Sequence, residues 1–358
     1  MVQLRNRLRN RFLWRCKIVT MRDVAEKAGV SVTTVSHVIN KTRLVSDELR
    51  QRVLAAMREL EYWPNALARS LRRKETNTIG MILPDNSNPF FAEVSRGIED
   101  TCFRQGYNII LCNSDGDLDK EFLYTNVLVE KQVDGIILFA AGESIEQVRM
   151  LQARNIPLVM VDRMLSDVAV DMVLTDNIQG GELATRHLLE LGHGHIACIT
   201  GSLNLSLSAE RMTGYRQALM EHHIPVEESL IVEGDFQYES GYRAANRLLT
   251  TDSPPSAIFA CNDLMAIGAI SAVVESGRQV PNDISVVGFD NLRLASFANP
   301  PLTTIAQSKY EMGVAATVML LERIRKHDIP ARRQLLGVSL IVRQSTAPVA
   351  NNRQPGKR

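Results

Sequence analysis

The strongest constraint on the fold is an alternation that begins at Thr78. Short, nearly continuous aliphatic runs are separated by stretches whose apolar residues recur at helical spacing. The first series reads TIGMILP, YNIILCN, VDGIILFAA, PLVMVDR and DMVLTD; the second reads HIACITG, LIVEGDF, AIFACND, ISVVGFD and TTIAQ. A strand that is apolar on both sides must be covered on both sides. Helical crossovers such as FFAEVSRGIEDTCFRQG supply that cover, so each series predicts a parallel α/β sheet. Two series in succession predict two lobes with a cleft between them, and ligands of such sheets bind beyond the strands' carboxyl ends.

Polar and aromatic residues collect at those ends. Asn88, Phe90 and Phe91 lie in NPFF after the first run, Asp162 and Arg163 follow PLVMV, and Arg211 lies in AERMTGY. Phe236 closes GDF, Asn262 follows AIFAC, Phe289 and Asp290 follow VVG, and Gln307 ends TTIAQ. Each alone has a plainer reading as a loop cap, a helix N-cap or a core aromatic; Asn262, for example, opens the helix of NDLMAIGAI. Together they suit a polyhydroxylated ring, since acids and amides pair with hydroxyls while aromatic rings cover C–H faces.

Charge divides the chain at about the same point. Residues 1–76 carry 17 Lys/Arg against 7 Asp/Glu, which leaves 24 against 33 in the remainder of the 41 and 40 present. A basic head on an acidic body points to a polyanionic partner for the head. The first twenty residues hold six basic and no acidic side chains but lack the apolar core of a secretory signal,. Residues 1–18 are read as a disordered extension or a start assigned too early. Five cysteines, at 16, 102, 112, 198 and 261, show no C-x-x-C spacing. Reduced thiols in a cytoplasmic protein are expected.

Within the head, Thr20-Met-Arg-Asp23 fits a capping box that opens a helix over Met21–Ala28, with Val24, Ala25 and Ala28 inward. Gly29 ends it in the left-handed conformation, and Ser31 caps a second helix after a three-residue turn. On that helix Val35, Val38 and Ile39 form the buried stripe, leaving Thr33, Thr34 and His37 outward. A third helix, Ser46–Leu60, is capped by Ser46 and adds Leu49, Val53, Ala56, Met57 and Leu60 to the core. Two helices joined this tightly form a helix-turn-helix whose second helix can enter a DNA major groove. Pro64 stops the third helix, and Asn65–Leu71 form a short stretch too brief to be a stable helix unaided.

DVAEKAGVSVTTVSHVIN, followed by YWPNALARSL, closely resembles the DNA-binding head and hinge of the lactose-repressor family, and the likeness extends over Met21 to Ala347. The resemblance implies that Val32, Thr33, Thr34 and His37 stand at the base-reading face. It also implies that Asn65, Leu67, Ala68 and Leu71 belong to a hinge helix that pairs with a partner's in the minor groove, Leu71 wedging between base steps. The body resembles the sugar-sensing core of the same repressors, ribose-responsive members in particular, and periplasmic ribose-binding proteins. By that resemblance the cleft residues from Asn88 to Gln307 form a sugar site. One position departs, Ala140 standing where the ribose-binding proteins have an asparagine.

The expected organisation is a head over 19–63, a hinge and linker over 64–76, and a two-lobe body over 77–347. Lobe 1 takes about 77–176 and 308–336, lobe 2 about 177–307 and 337–347, and 348–358 is a tail. No phosphate loop, G-x-S-x-G elbow or G-x-G-x-x-G fingerprint is present, so an enzyme is not expected, nor a cofactor or metal. His193-Gly-His195 reads as a polar turn before a strand rather than a metal pair. A nucleoid-type binder has no need of the body, and a periplasmic receptor has no need of the head. The tail has no leucine heptad, so no tetramerisation coil is expected. The resulting expectation is a homodimeric repressor of a sugar catabolic operon, binding a near-palindromic operator. D-ribose is the favoured effector and inducer, with a purine or another sugar as the alternative.

Overall fold

The computed structural model describes residues 19–40, 43–63, 75–140, 142, 145–165, 167–326 and 328–349. Asn65, Leu67, Ala68 and Leu71, the expected hinge contacts, lie outside the described residues, as does Cys16. The chain forms two compact units, one up to Thr76 and one from Asn77.

The first unit is three helices, α1 (Met21–Ala28), α2 (Val32–Asn40) and α3 (Asp47–Glu59). The capping box of α1 is formed in both directions: Thr20 N–H donates to Asp23 Oδ2 at 2.7 Å, and Asp23 N–H to Thr20 Oγ1 at 3.4 Å. Gly29 adopts φ 63° and returns its N–H to the last turn. From α3, Arg52 Nη2 donates to the Ala28 carbonyl at 2.7 Å, which satisfies one of the acceptors that a helix end leaves open,. Val24, Ala25, Ala28, Val35, Val38, Val53 and Ala56 are the buried core. Some expectations are corrected, and Met57 and Leu60 pack against this core only half-buried. Ile39 and Leu49 are only half-buried, since three short helices have too little interior to enclose every apolar position,. Ser46 precedes α3 but makes no side-chain cap bond.

The second unit contains two six-stranded sheets. The first is built from β1 (Thr78–Leu83), β2 (Asn108–Asn113), β3 (Gly135–Leu138), β4 (Leu158–Val161), β5 (Asp171–Thr175) and β11 (Arg333–Leu336), in the order β11-β5-β4-β3-β1-β2. The second contains β6 (Ile196–Thr200), β7 (Ile231–Glu233), β8 (Ala257–Ala260), β9 (Ser285–Asp290), β10 (Thr303–Ala306) and β12 (Ser339–Ile341), in the order β12-β10-β9-β8-β6-β7. All pairings are parallel except β10 with β12, which is antiparallel. Strands β11 and β12 are absent from the sequence reading; their aliphatic residues come in short pieces, Leu335-Leu336 and Leu340-Ile341, none of them fully buried. The chain crosses between sheets three times, at 175–177, 306–309 and 336–339.

The crossovers place α4 (Pro89–Arg104), α5 (Leu118–Glu130), α6 (Ile145–Ala153) and α11 (Lys309–Arg325) with the first sheet. With the second go α7 (Asn177–Glu190), α8 (Ser206–Glu221), α9 (Tyr238–Leu249) and α10 (Asp263–Glu275). Apolar clusters fill the first lobe on both faces of its sheet and the second lobe throughout. Helices α7 and α8 cross at a pair of glycines. A Cβ on Gly181 would lie 2.1 Å from the Arg211 carbonyl oxygen, and one on Gly214 2.1 Å from that of Ile178. This close approach sets the position of Arg211, on which the cleft depends. No helix among the described residues is long and apolar enough to cross a membrane.

Candidate effector cleft and DNA-reading helix

Between the two sheets, at the carboxyl ends of their strands, lies a cavity of about 390 Å³. Beyond β1, the Oδ1 of Asn88 accepts the Phe90 N–H at 3.0 Å, with Pro89 in the first helical position. That cap fixes where α4 starts and so aims Phe90 and Phe91. Their rings meet edge to face at 5.1 Å, and Phe91 meets Phe139 at 5.5 Å. Beyond β4, Asp162 sits at φ 59°, a conformation uncommon for a residue with a side chain,. Its Oδ2 accepts Arg163 Nη1 at 3.0 Å, while its Oδ1 is buried without a protein partner. Arg163 also donates to the carbonyls of Asp162, at 2.8 Å, and Ala140, at 3.2 Å. Ala140 thus serves the site through its backbone.

The second lobe contributes Arg211 from α8. Its Nε donates to Asn177 Oδ1 at 2.9 Å, its Nη1 reaches the Cys261 carbonyl, and its guanidinium lies 3.7 Å over the Phe289 ring. Asp290, ending β9, stands 3.9 Å from Arg211 Nη1 and accepts Gln307 Nε2 at 2.7 Å. Asn262 caps α10 through Oδ1, which accepts the Met265 N–H at 2.9 Å, and its Nδ2 donates to the Phe236 carbonyl at 2.8 Å. That bond helps to hold Phe236 at φ 66° with its ring over Gly201, where any Cβ would come within 1.9 Å of the ring.

Asn88, Phe90, Phe91, Asp162, Arg163, Arg211, Phe236, Asn262 and Asp290 line the cavity. Two expected contacts do not. Phe289 is fully buried as the platform beneath Arg211, and Gln307 stands behind Asp290, its Oε1 accepting Thr175 Oγ1 at 2.6 Å. Both stand at a strand end, yet Phe289 packs beneath Arg211 and Gln307 is bonded to Thr175 and Asp290, so neither faces the cavity. Asn262 lines the cavity with both ends of its amide already bonded. The sequence reading missed Asp85, Asp115, Ser202 and Asp235, which also line it. A positional signal was available: these four, like Arg163 and Asn262, are each the second residue after a strand ends.

Burial dominates the electrostatics. It pushes the Asp162 carboxyl up, against the opposing pull of Arg163 and Arg211. It raises Asp290 to about 6, against Arg211, Lys309 and Gln307, with the Asp162 charge acting in the same direction as burial. Burial also lowers the Arg163 guanidinium from its ordinary value. The cavity therefore offers two desolvated carboxyls, held apart in role by their guanidinium partners, between phenylalanine rings. Such a site accepts N–H or O–H donors and covers a flat or C–H-bearing face. His193 lies elsewhere, buried with its ring nitrogens on Ser256, Ser285 and the Ala347 carbonyl.

On α2, Val32 and Thr33 are exposed, and His37 is half-buried. Thr34 is partly committed to the cap: its N–H donates to Ser31 Oγ at 3.0 Å and its hydroxyl pairs with the same oxygen at 2.9 Å. The outward face therefore presents a methyl-bearing and a hydroxyl-bearing side chain at the helix's first turn, the part of a recognition helix that meets base edges.

A family model for bacterial regulatory proteins of the lacI family matches residues 20–65. A second, for periplasmic binding proteins and the sugar binding domain of the LacI family, matches residues 76–344. The chain belongs to the lacI family. As a lacI-family protein it is a DNA-binding transcriptional repressor rather than an enzyme. It is 42% identical over 334 residues to the HTH-type transcriptional repressor PurR of Aliivibrio fischeri (strain ATCC 700601 / ES114), covering 92% of this chain and 99% of that one. A solved lac repressor dimer, bound to operator and the anti-inducer ONPF, is similar with a TM-score of 0.84 and 31% identity, over 92% of this chain and all of that one. A LacI family transcriptional regulator from Enterococcus faecium with bound ribose is similar with a TM-score of 0.71 and 34% identity, over 76% of this chain and all of that one.

Proposed function

We propose that this lacI-family repressor is controlled by a purine base held in the cleft, and that it binds a near-palindromic operator as a homodimer. The observation that carries the purine reading is the 42% identity, over nearly the whole of both chains, to a repressor named PurR. D-ribose, favoured by the resemblance to ribose-responsive repressors and ribose-binding proteins, becomes the second reading; the ribose-bound relative keeps it open. The cavity of about 390 Å³ falls in the range, roughly 300–1,000 Å³, of small-molecule sites and admits either ligand,. A purine presents a planar face to Phe90, Phe91 and Phe236. Its N–H groups meet Asp162 and Asp290, and its ring acceptors meet Arg163 and Arg211. Both lobes contribute, so ligand favours a closed cleft and changes how the lobes present the DNA-binding head.

On the DNA side, Val32, Thr33, Thr34 and His37 read bases, and Asn65, Leu67, Ala68 and Leu71 act from the hinge. One helix-turn-helix covers only a few base pairs, so a two-fold partner and a symmetric site follow. The dimer of the similar lac repressor supports this reading. Calorimetry of the purified chain with guanine, hypoxanthine, adenine and D-ribose tests the effector, followed by footprinting with and without the ligand bound. Heat with a purine and none with ribose is the expected result. Heat with ribose alone overturns the purine reading and leaves the repressor intact.

A further inference from the structure

At the exposed rim of the cleft a side chain of each lobe meets the other in a hydrogen bond, beside a longer contact of 3.5 Å from the Met164 N–H to Ser206 Oγ. Gln237 Nε2, of the second lobe, donates to Asp85 Oδ2, of the first, at 3.2 Å. We propose that this pair is a latch that holds the mouth of the cleft closed and sets the rate at which effector leaves. The proposal rests on the cleft being the effector site.

Both partners are fixed by their own lobes before they meet. Asp85 Oδ1 accepts the Ser87 N–H at 2.9 Å and the Ser87 hydroxyl at 2.6 Å, which leaves Oδ2 for the partner lobe. The adjacent Asn86 N–H is tied to Asn113 Oδ1 at 2.7 Å. Burial pushes the Asp85 carboxyl up, but the bonds from Ser87 and Gln237 outweigh it and hold it below its ordinary value. It is an ionised acceptor at neutral pH. Opposite, Gln237 N–H donates to Asp235 Oδ1 at 2.9 Å, and the Gln237 carbonyl accepts the Ser240 hydroxyl at 2.9 Å. Gln237 also precedes α9 without making a side-chain cap bond, so its amide is not needed by its own helix. It directly follows Phe236, whose ring lines the cavity. Opening the mouth thus breaks the Gln237–Asp85 bond and carries Phe236 away from the ligand. The Asp85 carboxylate is preordered, so only the Gln237 side chain loses freedom when they meet, and a charge-assisted bond at this place favours closure,.

Substitutions at 237 alone give a graded test, since they leave the Asp85 loop and the backbone bonds of 235–240 in place. Gln237→Ala removes the bond, Gln237→Glu sets a like charge against Asp85, and Gln237→Lys replaces the bond with an ion pair. Release of guanine, or of D-ribose if guanine gives no heat, is followed by stopped flow. Lobe separation is read without ligand from nitroxide labels placed at Asp119 and Glu239. Release is expected to be fastest for Glu, then Ala, then the parent, and slowest for Lys. Each step is roughly three- to tenfold, and label distance follows the same order. In an Asp85→Asn background the difference between Glu and Lys should collapse. Equal release rates and equal label distances across the series overturn the latch, as does an ordering that persists unchanged with Asp85→Asn. If neither ligand binds the parent, the effector reading fails, and the label distances still decide the latch.

Discussion

Replacing Asp290 with asparagine should stabilise the fold at neutral pH while crippling the effector site. Burial holds the Asp290 carboxyl at about 6 against an ordinary 3.8. Between those values the folded chain keeps a proton that the unfolded chain has released. Stability therefore falls as pH rises through this window. The favourable contribution is complete below about pH 3.8 and has been lost once pH passes about 6,. The span corresponds to roughly 3 kcal/mol,. The substituted amide has no charge to desolvate, and its Oδ1 can still accept from Gln307. The same Oδ1 is the atom nearest Arg211, so the guanidinium loses its charged partner, which costs about 1–3 kcal/mol at every pH,. Urea unfolding of both proteins, followed by circular dichroism from pH 4 to 8, leaves on subtraction only the titrations that depend on Asp290: its own and that of Asp263, which burial and the Asp290 charge both push up. The asparagine variant should be the less stable at pH 4, gain by roughly 3 kcal/mol relative to the parent by pH 7, and gain nothing more above. A difference that does not change with pH would refute the assignment of a desolvated, raised carboxyl at 290. Effector affinity should fall about tenfold to a hundredfold in the same variant, because a charged acceptor is lost.

Val35→Ala empties part of a three-helix core in which Val35 is fully buried, and should cost roughly 2 kcal/mol by thermal unfolding of the head, with effector affinity unchanged. Gly201→Ala should displace the Phe236 ring, weakening effector binding in calorimetry while the effector-free protein still binds operator; unchanged affinity would show that the ring is not a contact. Thr33→Ala should lower discrimination between operator and mutated operators by roughly 1–3 kcal/mol in competition footprinting. Thr20→Ala, which removes the capping box, should destabilise the head by about 0.5–2 kcal/mol without altering base preference.

The parts of this protein legible in its sequence are those set by local chemistry. Thr20 and Asp23 are close enough in the chain to cap a helix by themselves, and Gly29 can turn left-handed wherever it is placed. The aliphatic runs from β1 to β10 declare strands, largely buried in the sheet interiors and partly exposed at the edges β2 and β7, so the α/β class and the two lobes could be read before any contact was known. Tertiary structure decided what required two distant segments to meet. Phe289 and Asp290 are neighbours at one strand end, yet the pleat sends Phe289 beneath Arg211 and Asp290 into the cavity. Gln307 became a support because Thr175 and Asp290 converge on it at the lobe crossings. Strand β12 finds its place because β10 offers an edge, since three residues are too short to specify a partner by themselves. Asp85 and Gln237, 152 positions apart in sequence, form a bond across the mouth that no local pattern encodes. Helix caps and strand faces are settled within a few residues by steric and hydrogen-bonding rules. Desolvation, orphaned oxygens and lobe-to-lobe bonds depend on what the rest of the chain brings alongside.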